Sequence, residues 1–155
     1  MTIEFTPALV LSAVSVLLFG LSAGVFFTYS NSVMPGLRRT DDHTYVTAFN
    51  AMNVAILNPL FFVVFIGAQI ASVVTAIVAL ATGHAAIGWW QVGATAVYLI
   101  GVIVVTGLIH VPLNTAIARD RDRAPFERRW VRYNHVRSVA STLAFALALI
   151  ATLQA

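Results

Sequence analysis

The sequence predicts an all-α fold: one membrane domain, 1–155, built as a bundle of four transmembrane helices. Three observations predict it. Seventy-five consecutive residues, Thr44 to Ala118, contain no Asp, Glu, Lys or Arg, whereas about 20 apolar residues already cross a bilayer. Of the 155 residues, 59% are hydrophobic and only 10% are charged; a soluble domain carries about a quarter charged residues. The charges are also clustered, with Arg38 and Arg39 in one connection and most of the remaining arginines between Arg119 and Arg132.

Each element follows from local signals. The first helix is expected over about 7–32. Thr6 is placed to cap it, Pro7 fits its first turn, where a missing N–H costs nothing, and Met34-Pro35-Gly36 should end it. The opening MTIEFTP has no basic residue before the apolar run, so it reads as a retained helix rather than a cleaved signal peptide. The second helix, about 44–80, is longer than one span and should kink at Asn58-Pro59. The third, about 88–118, starts at the aromatic pair Trp89-Trp90 and carries Pro112; the fourth covers about 126–153. Phe49-Asn50-Ala51-Met52-Asn53 weakly repeats as Tyr133-Asn134-His135-Val136-Arg137, which suggests two parallel helical hairpins.

Charge and cysteine content limit the function classes. The net charge is +3, carried entirely by arginine, but its confinement to short loops reports topology rather than nucleic-acid binding. Short arginine-rich loops stay cytoplasmic, which would put both termini on the other side of a bacterial inner membrane. Anionic headgroups are natural partners for such loops. With no cysteine, disulfides and thiolate metal sites are excluded. The four histidines lack metal-ligand spacing, since none pairs at three or four residues. The expected partners are the bilayer and a hydrophobic small molecule. A homo-oligomer with Gly20 and Gly24 at its contact is compatible with so small a core.

Polar residues inside the spans mark the candidate site, because unsatisfied polar groups in lipid are costly. His110, Asn114, Asn134, Arg137, Asn50 and Asn53 all fall toward the arginine-rich end. The opposite half reads as nearly pure Val, Ile, Leu and Ala, an asymmetry that favours a pocket over a channel. Thr106, His110 and Asn114 recur at intervals of four and should share a face. Simpler roles stand beside these: Arg137 snorkelling to headgroups, His110 joining helices through a hydrogen bond, and the asparagines doing the same.

His110-Val-Pro112-Leu-Asn114, followed by Arg129-Trp130-Val-Arg-Tyr133-Asn134-His-Val-Arg137, resembles the anthrone oxygenase-like family of small four-helix membrane proteins. Val33-Met34-Pro35 and Asn53…Asn58-Pro59 carry the same likeness. The resemblance implies oxidation of an anthrone to an anthraquinone, with dioxygen as co-substrate and no dedicated cofactor, and it leaves a recruited metal or haem open. On that reading His110 is the base and Arg137 the oxyanion clamp. Asn50, Asn53, Asn114, Trp130, Tyr133 and Asn134 would contact substrate. The alternatives are a small transporter, a quinone or lipid binder, and an accessory subunit. Apart from Glu127 at the edge of the fourth, the spans contain no carboxylate, and proton-coupled transport generally uses a membrane-embedded one.

Overall fold

The computed structural model describes residues 6–154, which are helical with no strand among them. Four helices are long and apolar enough to span a membrane: α1 (Pro7–Leu37), α3 (Pro59–Ala81), α4 (Ala85–Asp120) and α5 (Ala124–Thr152). The shorter α2 (Asp42–Ala55) precedes α3. The protein is an integral membrane four-helix bundle.

Local chemistry sets the ends. The Thr6 hydroxyl accepts the Leu9 N–H at 3.2 Å and starts α1. Met34-Pro35-Gly36 does not end α1. The helix widens to a π turn at Tyr29–Val33 and continues to Leu37. Proline lacks an N–H and crowds the turn before it, and the wide turn supplies the slack it needs.

The expected kink at Asn58-Pro59 is a full break. Asn58 is extended (φ −125°, ψ 162°), as the residue before proline prefers. Its Oδ1 accepts the Phe61 N–H at 3.0 Å, and its Nδ2 donates to the Ala55 carbonyl at 2.9 Å. One side chain therefore ends α2 and caps α3. No such break interrupts α5, where the sequence repeat would place its counterpart.

The spanning helices form a ring in the order α1, α3, α4, α5, each packed on its two neighbours. Phe19, Phe26, Phe65 and Tyr98 fill the centre against Ala140, Ala144 and Ala148 of α5. That alanine stripe lets α4 approach closely: a methyl at Gly101 would run into Ala140. Gly20 is used inside the bundle, 3.2 Å from the Phe145 ring were it to carry a Cβ, whereas Gly24 faces open space. At the arginine-rich end, α2 closes the ring by packing Tyr45, Val46 and Phe49 on Met34, Phe126 and Trp130.

The opposite half is not purely apolar. A buried belt joins the spans there: Gln91 Nε2 donates to Ser12 Oγ (3.0 Å), and Ser72 Oγ donates to Gln91 Oε1 (2.8 Å). Ser12 also pairs with Thr152 (2.8 Å), and Ser15 with Thr75 (3.1 Å). Serine and threonine hide well in apolar helices because they also bond their own preceding turn, as Thr75 does to the Ala71 carbonyl.

Candidate functional site

Where α2 breaks from α3, the wall of the bundle is incomplete. Behind the gap lies a cavity of about 110 Å³. Its walls are mostly aromatic and aliphatic, with Phe26, Phe49 and Phe61 from three helices. Its polar groups come from α1, α2, α4 and α5: Tyr29, Asn53, Thr106, His110, Asn114, Trp130 and Arg137.

π turns shape two of the walls. Thr106 and His110 bound one π turn of α4, and Tyr29 begins that of α1. Such turns often occur at functional sites, because they alter which side chains share a face. His110 is fully buried, and neither ring nitrogen has a hydrogen-bond partner among the described residues. The backbones of Val105 and Trp130 lie beside the ring.

Arg137 does not snorkel, being only 7% exposed. Its guanidinium carbon lies 4.5 Å from the Phe26 ring centre and 5.5 Å from that of Trp130. Nη2 donates to Asn134 Oδ1 (2.7 Å) and Nη1 to Thr106 Oγ1 (3.3 Å), while Nε has no partner among the described residues. No carboxylate pairs with Arg137 among the described residues.

Trp130 contacts both principal groups. The His110 ring meets it edge-on, with centroids 5.1 Å apart. The indole N–H donates to Asn114 Oδ1 (2.9 Å), and Asn114 Nδ2 donates to Asn53 Oδ1 (2.7 Å). This chain ties α5, α4 and α2 together around the cavity.

Asn53, Asn114 and Trp130 thus lie on the wall with His110 and Arg137. Asn134 does not; it stands behind Arg137 as its support. Asn50 and Tyr133 are off the wall as well. Their helical neighbours Phe49 and Asn134 face inward, and one residue turns a helix by about 100°. Sequence reasoning did not assign Ile56, Leu57 or Val111 to the wall. The last two are largely solvent- or lipid-accessible (60% and 54%) and rim the mouth with apolar side chains. His135 lines a different hollow, so it and His110 do not face one cavity. Among the described residues, no three His, Cys, Asp or Glu side chains gather in a metal-ligand group.

Fold and site together define a membrane-embedded helical bundle with a largely apolar chamber, holding an unpaired imidazole and a guanidinium without a counter-ion. The family model described as anthrone oxygenase matches residues 60–147. The chain belongs to the anthrone oxygenase family. The matched segment contains Thr106, His110, Asn114, Trp130, Asn134 and Arg137, but neither α2 nor α1. No curated protein and no solved structure matches the chain.

Proposed function

We propose that the chain is a membrane oxygenase that removes a proton from a hydrophobic, anthrone-like aromatic substrate and lets the resulting anion react with dioxygen. The observation that carries this reading is the pairing of His110 with Arg137 on one cavity, each with nitrogen that no protein group occupies.

The residues suit the steps. An anthrone carries a C–H bond opposite its carbonyl, and the anion left by its removal is delocalised onto that oxygen. An unprotonated imidazole nitrogen of His110 accepts the proton. The guanidinium of Arg137, including its free Nε–H, stabilises the oxyanion as it forms. The electron-rich anion then reduces dioxygen, and a C–O bond forms to give a peroxide. Loss of water leaves the quinone. One substrate and one dioxygen give one quinone and one water, and the proton held by His110 leaves with that water. Phe26, Phe49 and Trp130 pack on the rings and exclude bulk water.

The mouth suits access from the bilayer. Ligand pockets usually run to about 300–1,000 Å³, larger than this cavity. A tricyclic substrate exceeds this volume, so part of its ring system would lie between Leu57 and Val111, in hydrocarbon. Cytoplasmic placement of the arginine-rich end is part of this proposal and fixes only which leaflet supplies substrate.

The test is aerobic conversion of anthrone to anthraquinone by the purified chain, read against the spontaneous rate. His110→Ala, checked for an intact fold, should reduce conversion to that background. Conversion by the variant at the wild-type rate would remove His110 from the chemistry.

A further inference from the structure

A second hollow, of about 1030 Å³, lies between the end of α1 and the beginning of α5. It is separate from the cavity and chemically unlike it. Arg38, Arg39, Arg128 and Arg132 line it, with Glu127 as the sole lining carboxylate. Glu127 is already engaged: its Oε2 accepts from Arg123 Nε at 2.7 Å, and its Oε1 lies 3.6 Å from Arg38. Arg39, Arg128 and Arg132 have no ion-pair partner among the described residues. Like charges gathered this way repel unless an anion joins them.

Met34, Pro35 and Val131 add apolar surface to the lining, and Ser30 and His135 also line it. The groove follows α1 inward from Arg38, just past the end of that span, to Ser30 within it. Cationic groups at the span ends beside apolar lining fit a molecule with a phosphate head and hydrocarbon tails. Guanidiniums bind phosphate oxygens in paired hydrogen bonds, and basic pockets between spanning helices suit acidic headgroups. A zwitterionic headgroup would bring its own cation among four arginines. A lipid with two phosphates matches them better.

We propose that this groove is a binding site for an anionic phospholipid, with Arg38, Arg39, Arg128 and Arg132 around its phosphates and its chains along Pro35 and Val131. The shared chemistry is the phosphate anion, so a free polyphosphate is the competing occupant.

The experiment uses the full chain, delipidated in a zwitterionic detergent and titrated with cardiolipin, phosphatidylglycerol or phosphatidylcholine. Native mass spectrometry and the thermal midpoint report binding. Inorganic pyrophosphate at equal phosphate concentration forms a separate arm. Cardiolipin should remain bound and raise the midpoint most, followed by phosphatidylglycerol, with no effect of phosphatidylcholine or pyrophosphate. The double variant R39Q/R132Q should bind cardiolipin about thirtyfold more weakly, from two lost surface charges. R119Q/R121Q, which removes the same charge away from the groove, should bind as wild type does. Equal binding of phosphatidylcholine and cardiolipin would overturn the site, as would equal weakening by both double variants. Pyrophosphate binding as tight as cardiolipin would overturn the lipid. The comparison of lipids on the wild-type chain holds even if a variant does not fold.

Discussion

Asn134 holds Arg137 from behind: its Oδ1 accepts from Nη2 at 2.7 Å, while its Nδ2 is tied to the Phe26 carbonyl (2.9 Å) and Ser30 Oγ (2.7 Å). The amide is thus oriented by two acceptors on α1, and that orientation leaves its oxygen for the guanidinium. Asn134→Ala removes a hydrogen bond to a buried charge, a loss of about 1.5–3 kcal/mol. The thermal midpoint should fall, and turnover should fall with it. Asn134→Asp should pair Arg137 with a carboxylate, leaving it less able to stabilise an oxyanion, and should lower the thermal midpoint because its second oxygen faces the Phe26 carbonyl; activity should be low. A fully active Asn134→Asp would contradict the role given to Arg137.

The mouth can be narrowed without touching the polar groups. Replacing Leu57 with Trp should raise KM for a polycyclic substrate severalfold. The rate at saturation should change little, because His110 and Arg137 lie deeper. Steady-state kinetics in bilayer nanodiscs separates the two effects. An unchanged KM for both Leu57→Trp and Val111→Trp would place the substrate's route elsewhere.

Gly101 sets the distance between α4 and α5. Gly101→Ala places its methyl against that of Ala140 and should cost about 1–3 kcal/mol through overpacking. The double variant G101A/A140G should recover most of that loss. Thermal unfolding in detergent measures both, and additive destabilisation would show that the two positions do not share a contact.

Asp41 starts α2, accepting from the Thr44 N–H at 3.0 Å and the Thr44 hydroxyl at 2.7 Å. These hydrogen bonds, the hydroxyl's first, hold its carboxyl below the usual carboxylate range. A depressed folded-state pKa gives stability that is present above the unfolded value, about 4, and lost as pH falls through the folded one. The wild type should therefore lose part of the α2 cap below about pH 4. Asp41→Asn should keep a cap with little pH dependence in that range, and Asp41→Ala should lack it at every pH. Amide hydrogen exchange of Tyr45 to Phe49 across pH 3–6 tests this; identical profiles for wild type and Asp41→Asn would refute it.

Much of the scaffold was legible because membrane helices advertise themselves by length, and their ends by capping residues. Thr6-Pro7 named a helix start, whereas Asn58-Pro59 signalled a kink where the chain in fact breaks and starts a new helix. The depth of His110 and Arg137 followed from their distance to the arginine-rich loops. What stayed hidden has physical reasons. Wide turns at Tyr29–Val33 and Thr106–His110 have no residue signature, although the spacing of four did place Thr106, His110 and Asn114 on one wall. The Ser12–Gln91–Ser72 belt leaves little trace in the sequence because small hydroxyls barely lower the hydropathy of a span. Asn50 and Tyr133 were placed on the wall by proximity in sequence, yet a modest turn about a helix axis separates lining from backing.

The most direct test of the central claim is anaerobic exchange of the substrate's acidic C–H for deuterium in heavy water, because it isolates proton removal from oxidation. The wild-type chain should catalyse exchange well above the buffer rate. Arg137→Lys should retain a reduced rate, and His110→Ala should show none beyond buffer. Equal exchange by the wild type and a folded His110→Ala would contradict the account.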